Sequence, residues 1–191
     1  MSAKDVRATS SDAREEIVTH LPALRAFARG LTGDHAAADD LVQETVLKAW
    51  SKFHLYKDGT NLRAWLFTIL RNTFLSVMRK RAREVSDSDG AIAARLTTKP
   101  DHDGRLAMQE LNDALRKLPV AQREAVLLVG ALGFSVEEAA ETCGCAPGTI
   151  KSRANRGRAT LAKLLHMDAE DAMETGDDPV TAVMALSPNS L

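Results

Sequence analysis

The residues best suited to chemistry lie toward the C-terminal end, where Lys151, Arg153, Arg156, Arg158 and Lys163 stand between Lys151 and Leu165 with no acid among them. Thr149, Ser152 and Asn155 are interleaved with them. Arg can take a guanine edge bidentately, Asn can pair with adenine, and Lys, Ser and Thr suit phosphates, which carry most of the salt-sensitive affinity. A solvated basic helix face is the plainer alternative, but the framing of the stretch points to DNA. Ser135 with Glu138 three residues on makes a capping box for the short helix SVEEAAETC, Gly144 ends it, and Pro147 takes the favoured first position of PGTIKSRANRGRATLAKLL. Cys143 to Ala146 is then a tight connection, and Ala140 is small where two helices cross. Ile150, Ala154, Gly157 and Leu161 share the inward side, which leaves Thr149, Ser152, Arg153 and Arg156 on one outward stripe with Lys151, Asn155 and Arg158 beside it. Caps, crossing, turn and basic stripe agree on a helix-turn-helix that reads DNA.

A second basic stretch, Leu62 to Arg83, holds Arg63, Arg71, Arg79, Lys80, Arg81 and Arg83, again with no acid. Trp65, Phe67 and Phe74 lie among these cations, a mixture that suits single-stranded nucleic acid. Aromatics at helical spacing are more often core. Trp65 and Phe74 are therefore assigned inward, leaving Arg63, Arg71, Asn72, Ser76, Arg79 and Lys80 as contact candidates. Part of this charge also suits the negative end of the helix dipole.

The formal charge of −1 conceals an uneven distribution. Opposite the basic stretches stand Asp34, Asp39, Asp40 and Glu44, and a tail with Asp168, Glu170, Asp171, Glu174, Asp177 and Asp178, so two kinds of partner are expected. Asp40, Gln43, Glu44 and Leu47 share one helix face.

Other chemistries find little support. His20, His35, His54, His102 and His166 are scattered, and neither a Gly-rich phosphate loop nor a nucleophile motif appears, so an enzyme is not expected. Cys143 and Cys145 lack partners at zinc spacing and read as small core residues, so no metal and no cofactor are expected. The opening MSAKDVRATSSD carries no apolar signal region, and nowhere do about 18 apolar residues run together. A cytoplasmic chain without membrane contact is expected.

The elements that must position these groups are helices. Aromatics are sparse, alanine and aliphatics supply the apolar content, and long stretches lack Pro and Gly. Ala13 to Leu31 reads as one helix stopped by Thr32-Gly33, and Asp34 caps a second with Ala38, Leu41, Val42, Thr45, Val46 and Ala49 as its buried stripe. Phe53 to Asn61 is a loop, and a third helix starts near Leu62. The resulting all-α organisation is two small helical domains, residues 13–83 and 105–166, joined by a flexible linker, 84–104, and followed by an acidic tail, 167–191, expected to be disordered.

Taken together, DDLVQETVLKAW (39–50), NLRAWLFTILRNTFLSVMRKR (61–81) and LPVAQREAVLLVGALGFSVEEAAETCGCAPGTIKSR (118–153) resemble the extracytoplasmic-function sigma factors, the two-domain initiation subunits of bacterial RNA polymerase. The linker and EEAAETCGCA resemble the branch that runs the general stress response of alphaproteobacteria. The resemblance implies that Asp39, Asp40, Leu41, Gln43 and Glu44 dock on the β′ clamp helices of the polymerase core. It implies that the loop ending at Asn61 and the basic helix after it hold the melted minus-ten strand, and that the helix after Pro147 reads the minus-thirty-five box. It also implies a small anti-sigma factor as inhibitor, removed by an anti-anti-sigma response regulator. Gly157 stands where that family usually has Ala. A stand-alone helix-turn-helix regulator and a sigma-like mimic that titrates an anti-sigma factor are the competing readings.

Overall fold

A computed structural model describes residues 15–57, 59–87 and 103–165 of the 191-residue chain. The acidic tail and most of the expected linker lie outside the described residues. Among the described residues there are helices and no strands, and no helix is long and apolar enough to cross a membrane.

A helical turn at residues 15–19 leads into α1, Leu21–Thr32. The sequence predicts one helix from Ala13 to Leu31, but the chain breaks at His20, because Pro22 has no N–H and its ring displaces the preceding turn. Gly33 closes α1 in the left-handed conformation, φ 68°, its N–H donating to the Arg29 carbonyl. Asp34 caps α2, His35–Ser51, accepting from the Ala37 N–H at 2.8 Å, as its position predicts. A single 3-10 turn, Phe53–Leu55, opens the loop to α3, Leu62–Asp87, which continues past Arg83. Asn61 starts α3, its Oδ1 accepting from the Ala64 N–H at 3.0 Å.

The second half begins with α4, Asp103–Lys117, and α5, Val120–Val126, whose last turn widens into a π turn at Leu127–Ala131. Gly133 and Phe134 then lead to α6, Val136–Cys143, and across Gly144 to α7, Pro147–Leu164. The capping box at Ser135 and Glu138 is formed in full, and Gly144 is left-handed at φ 63°, so the helix-turn-helix is built from the signals its sequence carries. The Gly157 that breaks helix propensity has a packing reason. A Cβ there would lie 2.5 Å from Val126 Cγ2 and 3.3 Å from the Gln122 carbonyl, so the hydrogen lets α7 lie against α5.

The two halves pack face to face. Phe67 of α3 packs with tilted rings against Phe27 of α1, centroids 5.2 Å apart, and against Phe134 of the second half, 4.9 Å apart. Leu127 fills the space left by the missing side chain of Gly30, where a Cβ would come within 2.7 Å of its methyl groups. Buried Arg123 donates to the Leu31 carbonyl at the end of α1, at 2.7 Å, and to the Arg116 and Leu118 carbonyls of its own half. One arginine thus satisfies backbone oxygens that two helix ends leave open.

Candidate nucleic-acid interface

Along α7 the buried side is Ile150, Ala154, Gly157 and Leu161, as the sequence predicts. Lys151, Asn155 and Arg156 are exposed, and Thr149, Ser152, Arg153 and Arg158 are half-buried along the same helix. Arg156 folds along the helix, donating to the Ser152 carbonyl at 3.1 Å and its hydroxyl at 3.2 Å. Arg153 Nη1 lies 3.8 Å from Cys145 Sγ in the turn. Cys143, the last residue of α6, is buried and its thiol is pushed up to about 12 by that burial, as suits a core residue and not a nucleophile.

On α3 the candidates divide. Asn72, Ser76, Arg79 and Lys80 are exposed; Arg79 rests on the Leu75 carbonyl and the Ser76 hydroxyl, and Lys80 lies 3.8 Å from Glu84. Asn61, Arg63 and Arg71 instead meet the second half of the chain. Asn61 Nδ2 donates to Glu138 at 2.7 Å. Arg63 donates to the Leu132 carbonyl and lays its guanidinium 4.2 Å over the Phe134 ring. Arg71 pairs with Glu124 at 3.1 Å, the acid being 1% exposed and the cation 17%. Of the aromatics, Phe67 and Phe74 are buried, whereas Trp65 is only partly buried, clustered with Phe53 and Tyr56. Tyr56 donates to the Thr60 carbonyl at 2.6 Å and so ties the loop to itself.

The acidic face of α2 is a surface. Asp39, Asp40, Gln43 and Glu44 are exposed, but Leu41 is 5% exposed and packs into the core, where a partner does not reach it. In its place Leu47 and Trp50 stand out, 71% and 62% exposed, on the same helix. Leu47 falls on the Asp40, Gln43 and Glu44 face in the sequence too, so the signal was present. Lys48 anchors the edge, bridging Glu44 at 2.7 Å and the Thr73 hydroxyl of α3 at 3.2 Å.

Sequence reasoning missed Arg123 and Glu124. The signal is a charged pair inside the apolar run of Val120 to Leu128, where charge without a buried partner is costly. Burial holds the Glu124 carboxyl above its ordinary value, against the opposing pull of Arg71, Arg153 and Arg123. Burial likewise lowers the Arg123 guanidinium, with Arg116 adding to it. Between the halves runs a groove of about 680 Å³, floored by Leu31, Phe74 and Val77 and flanked by Asp40, Glu44, Arg81 and Arg116. Among the described residues no cluster of His, Cys, Asp or Glu could hold a metal ion.

The arrangement places two cationic helices and one acidic, apolar-tipped surface on a single chain. Comparison with known proteins agrees. Residues 17–84 match the family described as Sigma-70 region 2, and residues 108–161 that described as Sigma-70, region 4. The ECF RNA polymerase sigma factor EcfG of Rhodopseudomonas palustris is 52% identical over 171 residues, 90% of this chain and 94% of that protein. The ECF RNA polymerase sigma factor SigE of Mycolicibacterium smegmatis is 32% identical over 84% of this chain and 64% of its own length. Among solved structures, the sigma factor RpoE in complex with the anti-sigma factor NepR from Bartonella quintana is 53% identical with a TM-score of 0.75, covering 82% of this chain and 98% of that one. CnrH in complex with the cytosolic domain of CnrY is 26% identical with a TM-score of 0.64, covering 85% and 98%.

Proposed function

The chain belongs to the extracytoplasmic-function sigma factors of bacterial RNA polymerase, and on that premise we propose how its surfaces divide the work of initiation. The observation that carries the division is that the two basic helices, α3 and α7, sit in different halves of the molecule, while the acidic, leucine- and tryptophan-tipped face lies on a third helix, α2, in the same half as α3. The α2 face, Asp39, Asp40, Gln43, Glu44 and Leu47, docks on the β′ clamp helices, acids steering the encounter and the apolar tip adding buried area. Residues 105–166 read the minus-thirty-five box as duplex through Thr149, Lys151, Ser152, Arg153, Asn155, Arg156 and Arg158. Residues 13–83 hold the melted minus-ten strand through Asn61, Arg63, Arg71, Asn72, Ser76, Arg79 and Lys80. Holding the opened strand more tightly than the duplex shifts the equilibrium toward melting, so the chain needs no catalytic step of its own.

The genes served are those of a general stress response in the cytoplasm, and the inhibitor is a small anti-sigma factor. The neighbour from Bartonella quintana is seen with the anti-sigma factor NepR, which supports this reading. Purified chain added to core polymerase tests the division. Arg153→Ala is expected to lower promoter-specific transcripts by about 5- to 150-fold, the scale of one lost bidentate base contact at about 1–3 kcal/mol, and to leave core binding intact. Equal loss of both activities contradicts it.

A further inference from the structure

Cys145 belongs to none of the surfaces assigned above, yet the side chain of Arg153 donates to it. Resting on the assignment of α7 to duplex reading, we propose that Cys145 is a positioning residue: its Sγ holds Arg153 Nη1 and thereby aims the rest of the guanidinium at one base pair of the minus-thirty-five box.

α6 ends at Cys143 and α7 begins at Pro147, so Cys145 lies in the turn between them. Its backbone is fixed there by the left-handed Gly144 before it and by its own N–H, which donates to the Ala140 carbonyl at 3.0 Å. The sulfur is therefore presented to the second turn of α7 at a set place. Arg153 Nη1 reaches it at 3.8 Å, a distance that suits a large, soft acceptor. Among the described residues no other acceptor takes this guanidinium. Nε and Nη2 remain, and together they form an edge that can meet guanine O6 and N7 bidentately. A neutral sulfur orients the group without neutralising it. A carboxylate in that place would hold Arg153 as Glu124 holds Arg71, and the charge would be lost to DNA.

The surroundings keep the arm on the turn. Arg153 and Cys145 are both half-buried, and the Arg153 charge is felt by the buried Glu124 and Cys143, which lie on that side of α7. Arg156 is the contrast. It is exposed and folds back on the carbonyl and hydroxyl of Ser152 in its own helix. Two arginines of one stripe are thus held by different means, and of the two only Arg153 depends on the turn. An arm that is ordered before the encounter loses less freedom on binding. Because phosphates attract a guanidinium in any pose whereas a base edge accepts only one, this order serves discrimination more than affinity.

The test uses the full-length chain bound to core polymerase. Its probes are the tightest duplex that the wild-type holoenzyme recovers from a randomised pool, and the set of single base-pair changes in the upstream box of that duplex. Arg153→Ala is expected to flatten the preference at one position. Cys145→Ala is expected to lower the preference at that same position roughly 2- to 12-fold, the scale of one long side chain left to be ordered on binding, with the salt dependence unchanged. Cys145→Ser restores an acceptor and is expected to recover most of the preference. In the Arg153→Ala background, Cys145→Ala is expected to change no preference. A cysteine that only packs the turn would weaken every duplex alike. Uniform weakening therefore overturns the proposal, as does a preference that Cys145→Ala leaves unchanged or sharpens, or an effect that persists without Arg153. In those cases Arg153→Ala still flattens its position and duplex reading by α7 stands. If Arg153→Ala flattens no position, base reading by Arg153 falls and the role of Cys145 falls with it.

Discussion

Asn61 and Glu138, from opposite halves of the molecule, join two helix caps through one hydrogen bond. Asn61 caps α3 with its oxygen, toward the Ala64 N–H, and donates with its nitrogen to Glu138 Oε1 at 2.7 Å, while Glu138 Oε2 accepts from the Ser135 N–H and completes the capping box of α6. The loss of either side chain therefore loosens two helix starts. Asn61→Ala and Glu138→Ala are each expected to lower stability by about 1 kcal/mol, the usual scale of a cap, and the double variant by less than their sum. Urea midpoints measured at constant slope check this, and strict additivity would show the two caps to be independent.

Gly157→Ala sets helix propensity against packing. In an exposed helix the change gains about 1 kcal/mol. Here the added methyl meets Val126 Cγ2 at 2.5 Å and the Gln122 carbonyl at 3.3 Å, and backbone does not yield as a side chain does. The expected net effect is destabilisation of about 1–3 kcal/mol, as overpacking costs, partly recovered in a Val126→Ala background. Thermal unfolding that rises for Gly157→Ala alone contradicts it.

What the sequence made legible follows from where the signals are local. The cap at Asp34, the box at Ser135, the left-handed Gly144 and the buried side of α7 are each written within a few residues, and the structure repeats them. The break at His20 was also local, in Pro22, and was outvoted by the apolar period from Ile17 to Leu31. The π turn at Leu127–Ala131 and the pairing of Arg71 with Glu124 were not legible, because they depend on which halves meet. Periodicity alone placed Ala38, Leu41 and Val42 on the inner stripe correctly. It was the resemblance that moved Leu41 to a contact surface, and burial returns it to the core.

Glu124 gives the fold a pH dependence of definite sign. Its folded carboxyl lies above the ordinary 4.5, burial outweighing the opposing Arg71, Arg153 and Arg123. Within the window between those two values the folded chain binds more protons than the unfolded one, so this group's contribution is complete below the unfolded pKa and is lost as pH rises through the folded one. Glu138 works in the opposite direction: bonds from Ser135 lower its carboxyl, so its contribution is present at neutral pH and is lost on acidification. Glu124→Gln separates the two, because Glu138 is common to both proteins. Urea stability of wild type minus that of Glu124→Gln is expected to decline as pH rises from about 4.5 toward neutrality. A difference that climbs instead means that the pair with Arg71 outweighs the burial of its acid.

Docking on the polymerase should fail selectively when the apolar tip of α2 is lost. Leu47 is 71% exposed, so replacing it leaves the core untouched, and it shares its face with Asp40, Gln43 and Glu44, of which the two acids steer but contribute little affinity once screened. Leu47→Asp puts a desolvated charge where the partner surface closes and is expected to weaken core binding at least tenfold, an interfacial penalty of about 2 kcal/mol or more. Glu44→Gln is expected to act mainly on the association rate and its salt dependence, with little effect on dissociation. Because α7 is remote from this face in the sequence and in its packing, binding of Leu47→Asp to a duplex probe should equal that of wild type. If duplex binding falls together with core binding, the change has damaged the fold and not a docking surface. If core binding is unchanged, the polymerase does not use α2, and the acids of that helix are then better explained as favourable charges near its N-terminus.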